Sequence, residues 1–333
     1  MDSDNPFPPP SSRRHRRAPK WADFTFLLLT GWGAVLVLAL LVALFVGFYI
    51  GSQTAIHQLG FRFLTNTVWL AATDNPVLPG NVYGVEPVLV GTLLTSALAL
   101  LLAIPLSMGA AIFLTQQAPL SIRGPVGQLI ELLAAIPSVI YGFWGLIVLV
   151  PIMRANIEPA LASGLYWTGW FSGTPTGLDV LTASVVLAVM VIPTITAISR
   201  DSMAAVPVSQ KEAAISLGAT DWEVTRNAVL PYARGGVFAG IILGLGRAMG
   251  ETMAVTMVIG NPSYLTPYPT SLFSQYQTIA SLLATRFAEY SSPLELSSLI
   301  EAGLVLLLIT LAINVVARGV LSRFQRGRGV GRE

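Results

Sequence analysis

The sequence contains no cysteine, so disulfides, thiolate metal sites and cysteine nucleophiles are all excluded. Histidine is nearly absent too. His15 lies in the N-terminal tail and His57 just past the first apolar run, which leaves nothing to build a histidine metal cluster and reads both as surface residues. The only lysines, Lys20 and Lys211, follow Pro and Gln, so no GxxxxGK[ST] phosphate loop exists in this chain. Any ATP-driven work must therefore be supplied from outside it. Charge is also scarce, at 11% against about a quarter in soluble domains, while 53% of the residues are hydrophobic. This is the composition of an integral membrane protein.

Six apolar runs are long enough to cross a bilayer, which needs about 20 residues: 24–50, 88–114, 125–151, 178–199, 235–259 and 293–317. The first exceeds the roughly 7–15 residues of a signal-peptide core and is expected to be retained. The fold class is thus all-α integral membrane with six transmembrane helices. Residues 1–20, rich in Pro and Ser and carrying Arg13, Arg14, Arg16, Arg17 and Lys20, are expected to form a disordered basic tail. Residues 21–87 hold the first span and a loop with turns at Asn75-Pro76 and Pro79-Gly80-Asn81, residues 88–319 the core, and 320–333 a second basic tail. Tyr166, Trp167, Trp170 and Phe171 suggest an interfacial belt or re-entrant turn. Ile279, Leu282, Leu283 and Phe287 predict an amphipathic helix, and Ser292, Pro293 and Glu295 a capped start for the last span.

Basic residues are distributed unevenly. The two tails, Arg123 and the 200–234 loop fall on one side, and only Arg62, Arg154 and Arg286 on the other. The positive-inside rule then places both termini and that loop in the cytoplasm.

The loop itself is patterned. In residues 209–231, SQKEAAISLGATDWEVTRNAVLP, Ser209 with Glu212 and Thr220 with Glu223 have the form of capping boxes, which predicts two short helices. Gly218 is expected to supply the left-handed residue between them, and Pro231 to end the second. Ala213, Ala214 and Leu217 on the first helix, and Trp222, Thr225 and Val229 on the second, fall at helical spacing. The result is either a knob for a soluble partner or a solvated connector.

Within the fifth run, GIILGLGRAMGETMAVTMVIG places Arg247 inside the membrane with Glu251 four residues on, so the two can pair on one helix face. An Arg at mid-membrane costs about 2.5–3.5 kcal/mol on the insertion scale and must face protein or water. Gly240, Gly244, Gly246 and Gly250 remove bulk around it. Its planar donor fork suits tetrahedral oxyanions, so the pair is either an anion-binding position on a path or interhelical glue. Glu131 is expected to cap a helix or pair with Arg123, and Glu301 could meet Arg247 or a partner chain. Pro137, with Gly142 and Gly145, is expected to interrupt the third span, and Pro193 the fourth.

Two sets of residues carry a family resemblance. Glu212-Ala213-Ala214, Gly218 and Leu230-Pro231 lie at the spacing of the EAA motif of ABC-transporter permeases, with Ala228 where the family usually has Ile. ELLAAIPSVIYGFWGL (131–146) and GLGRAMGETMAVTMVIGN (244–261) resemble the PstC permeases of bacterial phosphate transporters, and the similar core runs over about 88–317. The resemblance implies a type I ABC importer permease fold in the bacterial inner membrane, importing inorganic phosphate by alternating access. It implies a homologous PstA-like permease, two PstB-like ATPases that bind ATP and Mg2+, and an extracytoplasmic PstS-like phosphate-binding protein. Arg247 and Glu251 would then lie on the substrate path. Glu212, Ala213, Ala214, Gly218, Leu230 and Pro231 would couple to the ATPase, with no catalysis, cofactor or metal in this chain. On the residues alone, sulfate or molybdate, an ion-coupled secondary transporter, and a scaffold that transports nothing all remain open.

Overall fold

The computed structural model describes residues 20–69, 82–262, 265 and 268–326. The tail carrying Arg13 to Arg17, the turns at Asn75-Pro76 and Pro79-Gly80-Asn81, and Arg328 and Arg332 lie outside the described residues. By compactness the chain divides into residues 1–50 and 51–333. In the first unit the helix that begins at Lys20 exposes Leu27, Leu29, Trp32, Leu36 and Leu40 on every side. A helix apolar all round belongs in lipid rather than in water.

Among the described residues six helices are long and apolar enough to cross a membrane: Asp23–Leu59, Glu86–Gln117, Ser138–Thr168, Val180–Ala204, Asp221–Met249 and Pro293–Gly319. No strand occurs among the described residues; Gly260 and Tyr276 form one isolated bridge. In the second unit the Val180–Ala204 helix, the most buried of the six, packs against the second and fifth spans and carries Val186, Leu187, Met190, Val191 and Ile195 into the core. Close approach needs glycine at several contacts, two of them beside the helix ends near Arg247. A Cβ on Gly244 would stand 2.8 Å from Ile195, and one on Gly142 2.7 Å from Ala254. Of the other glycines near Arg247, Gly240 faces Ile198, whereas Gly246 borders open space.

Two spans differ from the apolar runs. The third begins at Ser138, because the run from 125 divides at Ile136-Pro137: the helix Leu120–Ala134 ends there and Pro137 is extended. The Tyr141 hydroxyl donates to the Leu133 carbonyl at 2.8 Å and holds the break closed. The fifth starts as far back as Asp221 and stops at Met249. Pro231 does not end the loop's second helix, which continues through it into the span. The reason recurs three times. A π turn over Thr225–Val229 precedes Pro231, one over Gly145–Leu149 precedes Pro151, and one over Met153–Ile157 precedes Pro159. A proline ring presses on the carbonyl four residues back; the wider turn moves that carbonyl aside and needs no N–H from the proline. Pro193 likewise leaves the Val180–Ala204 helix unbroken.

The expected helix after residue 278 is present as Ile279–Arg286, with a capping box between Thr278 and Ser281. The last span starts at Pro293, where the Glu295 N–H donates to Ser292 Oγ at 3.1 Å. That helix runs to Arg326, into the stretch read as a tail.

Candidate functional site

Arg247 lies in the last turn of the fifth helix, where the backbone carbonyls of a helix end favour a cation. Its half-buried guanidinium reaches two other elements. Nη1 donates to the Thr194 hydroxyl at 2.9 Å, and Nη1 and Nη2 lie 3.4 and 3.5 Å from the carbonyl of Ala134. Ala134 is the last residue of the helix that breaks before Pro137, so its carbonyl points out of a helix end. Thr194 directly follows Pro193.

The pairing of Arg247 with Glu251 does not occur. The helix stops at Met249, and a break at 250–252 precedes the short helix Met253–Val258, so the four-residue spacing no longer sets both side chains on one face. The buried Glu251 instead accepts the Ala254 N–H at 3.1 Å and caps that next helix. Arg247 does not meet Glu301 either. Glu301 is buried in the sixth span, and its Oε2 has no partner among the described residues. The guanidinium is thus held by the Thr194 hydroxyl and the helix-end carbonyl of Ala134, neither of them a full negative charge.

Glu131 pairs with Arg200 at 2.7 Å rather than with Arg123; Arg200 also meets Asp201 at 2.8 Å. Arg123 donates to the Ala118 carbonyl. Thr115, Arg123, Gln128, Glu131 and Arg200 border a cavity of about 420 Å³, which does not include Arg247.

The knob consists of the helix Val208–Ser216 and the turn that opens the fifth helix at Asp221. Ser209 is not its cap; Pro207 precedes the first helix, with no side-chain bond at its start. Thr220 and Glu223 do form the expected capping box. Gly218, at φ +82°, ends the first helix, with its own N–H bonded to Ile215 and that of Ala219 bonded to Ala214. The apolar spacing divides differently from the expectation. Ala214, Val224 and Val229 turn inward onto Ala111, Met203 and Val206, and Thr225 is buried too. Leu217, at 89% exposure, and Trp222, at 59%, point out with Val208 and Ile215. Glu212, Ala213 and Gly218 are exposed, while Leu230 and Pro231 are half-buried where the knob enters the span.

Thr194 and the Ala134 carbonyl were not legible as site residues. A Pro-Thr pair inside a span and an Ile-Pro break near another were the available signals. Neither tells which residue lies opposite which.

Residues 103–329 match the family model described as "Binding-protein-dependent transport system inner membrane component". The chain belongs to that family. Within it, the chain is similar to the phosphate transport system permease protein PstC of Pasteurella multocida, 46% identical over 314 residues that cover 92% of this chain and 94% of that one. The PstC of Mesorhizobium japonicum is 42% identical over 311 residues, covering 92% of each. PstC 1 of Mycobacterium tuberculosis is 38% identical over 323 residues, covering 91% and 95%. Among solved structures, a bacterial ABC transporter involved in import of the acidic polysaccharide alginate superposes with a TM-score of 0.56 at 16% identity, covering 91% of this permease and 98% of that chain. The inward-facing MetNI methionine ABC transporter gives 0.51 at 14% identity, covering 70% and 93%. These likenesses show the fold alone: this permease has the all-α architecture of ABC importers.

Proposed function

We infer that this chain is the permease subunit of an ATP-driven inorganic phosphate importer, forming half of the translocation path with Arg247 as its anion-binding position. The phosphate assignment draws on the similarity to PstC proteins over more than nine-tenths of the chain. The arrangement of Arg247 carries the path reading. Neutral acceptors hold the guanidinium in place without cancelling its charge, so a passing oxyanion becomes its one full counter-ion. Charge-assisted N–H···O⁻ bonds of about 2.7–2.9 Å would form at the donor fork. Glu251, anchored on the next helix, adds a repelling carboxylate nearby in the chain that favours release.

The remaining parts follow the same reading. Both termini and the knob are cytoplasmic, as the distribution of basic residues requires. The exposed Val208, Ile215, Leu217 and Trp222 and the acidic Glu212 form the surface that docks into a PstB-like ATPase, which binds ATP and Mg2+ and performs the hydrolysis. A PstA-like permease completes the path, and a PstS-like protein delivers phosphate from outside. The knob's seat on the ends of the second and fourth spans gives ATPase closure a stiff lever on the helices around Arg247.

Replacing Arg247 by Met tests the reading. Phosphate uptake by the reconstituted transporter is expected to be lost while the complex still assembles. Lost assembly would instead make Arg247 interhelical glue.

A further inference from the structure

At the end of the fourth span away from the knob, two acidic residues outside the proposed path are completely buried. Glu158, in the third span, and Asp179, directly before the fourth, are both 0% exposed. Glu158 Oε2 accepts the Gly177 N–H at 3.1 Å; Asp179 Oδ1 accepts the Thr182 N–H at 2.8 Å and caps the fourth span. That accounts for one oxygen of each. Among the described residues Glu158 Oε1, Asp179 Oδ2 and the hydroxyl of the fully buried Thr182 have no hydrogen-bond partner. The two carboxyls nevertheless lie within hydrogen-bonding reach of one another, and the Thr182 side chain lies within reach of Asp179. Between the two carboxyls acceptor faces acceptor, and the Thr182 hydroxyl stands beside Asp179.

No cation among the described residues is ion-paired with either carboxyl. Among the described residues Glu158 is the one charged group acting on Asp179. Arg154, one turn before Glu158, is exposed and outside the described ion pairs. Among its described residues the loop over this point meets the start of the fourth span with carbonyls: Val180 donates to Ser274 and Leu181 to Leu272, while Tyr268 bonds Glu86. Burial, followed by the Glu158 carboxyl, pushes Asp179 up to about 7, against the bond from the Thr182 N–H that pulls it down.

We propose that Glu158 and Asp179 form a binding site for one proton, held between Glu158 Oε1 and Asp179 Oδ2, which fastens the end of the third span to the start of the fourth. Two carboxylates in contact away from water cannot both ionise, and one proton turns the facing acceptors into a hydrogen bond. A metal ion would answer the same charge but needs several oxygens around it, standing between the carboxyls rather than leaving them in contact. The sign of the pH dependence follows. A carboxyl raised from about 3.9 when unfolded to about 7 when folded contributes stability that is complete below the lower value. That contribution falls as pH rises towards the higher value and is flat above it. On the orientation proposed above, the proton comes from the external medium; the site itself does not depend on that reading.

The test is the thermal stability of the purified complete transporter between pH 5 and 8.5. Wild type should lose Tm as pH rises to about 7 and then level off, with a loss of up to about tenfold in folding equilibrium per pH unit. Asp179→Asn keeps a capping oxygen and adds an N–H donor, and Glu158→Gln adds the same donor from the other side. Each should flatten the profile and match or exceed wild type at pH 8. Infrared spectra of the wild type should show a buried protonated carboxyl at pH 6 that disappears by pH 9. Wild-type profiles retained in both variants, or no titrating carboxyl band, would overturn the proposal. So would millimolar Ca2+ or Mg2+ that abolishes the pH-dependent loss, since that result assigns the site to a metal.

Discussion

Thr194→Asp changes one atom group in contact with Arg247 and should close the path without dismantling it. The hydroxyl stands 2.9 Å from Nη1, so an aspartate there brings a carboxylate within ion-pair distance of the guanidinium. Two unit charges about 4 Å apart attract by roughly 4 kcal/mol at an effective dielectric of 20. A factor of ten corresponds to about 1.4 kcal/mol, so an internal partner of this strength lowers anion occupancy by roughly 10²- to 10³-fold before the desolvation of the new carboxylate is subtracted. A net loss of at least about thirtyfold in uptake is therefore expected. Thr194→Asn supplies nearly the same volume and a neutral acceptor, and should stay within about fivefold of wild type. The assay is phosphate uptake by the complete transporter in proteoliposomes, with assembly checked by co-purification of the subunits. Equal uptake by the Asp and Asn variants would refute the idea that an uncancelled guanidinium carries the anion.

Other outcomes follow from the knob and the path. Glu212→Lys should abolish stimulation of ATP hydrolysis by binding protein while membrane insertion stays normal, and intact coupling in that variant would count against docking. Replacing Leu217 and Trp222 together by Ser should weaken retention of the ATPase on affinity purification by tenfold or more, because both lie open and hold up nothing beneath them. Gly218→Val forces a β-branched residue to φ +82° and should destabilise the knob by about 1–2 kcal/mol, read as faster proteolysis between residues 208 and 230. Pro231→Ala should be tolerated with little loss, since the helix already runs through that position.

Much of this architecture is written locally. Six apolar runs give six spans, Pro137 breaks where expected, and Gly218 and the Thr220–Glu223 box define the knob. What escaped depends on register or on distance. Residues 120–134 are apolar enough to be read as part of a span, and hydropathy does not separate a crossing helix from one that ends at a break. Pro231 resembles a stop in the sequence because the π turn that accommodates it leaves no compositional mark. The four-residue spacing of Arg247 and Glu251 pointed to an ion pair, which the break at 250–252 undoes. Thr194 reaches Arg247 across 53 positions, and Glu131 finds Arg200 across 69, through packing that no local pattern encodes.

The most direct measurement is a structure of the complete transporter stalled in mid-cycle with phosphate, or with arsenate as its denser analogue. The oxyanion should lie about 3 Å from the Arg247 nitrogens, which have turned from Ala134 towards it. An anion resolved elsewhere between the two permeases, with Arg247 still bound to Thr194 and Ala134, would contradict the account.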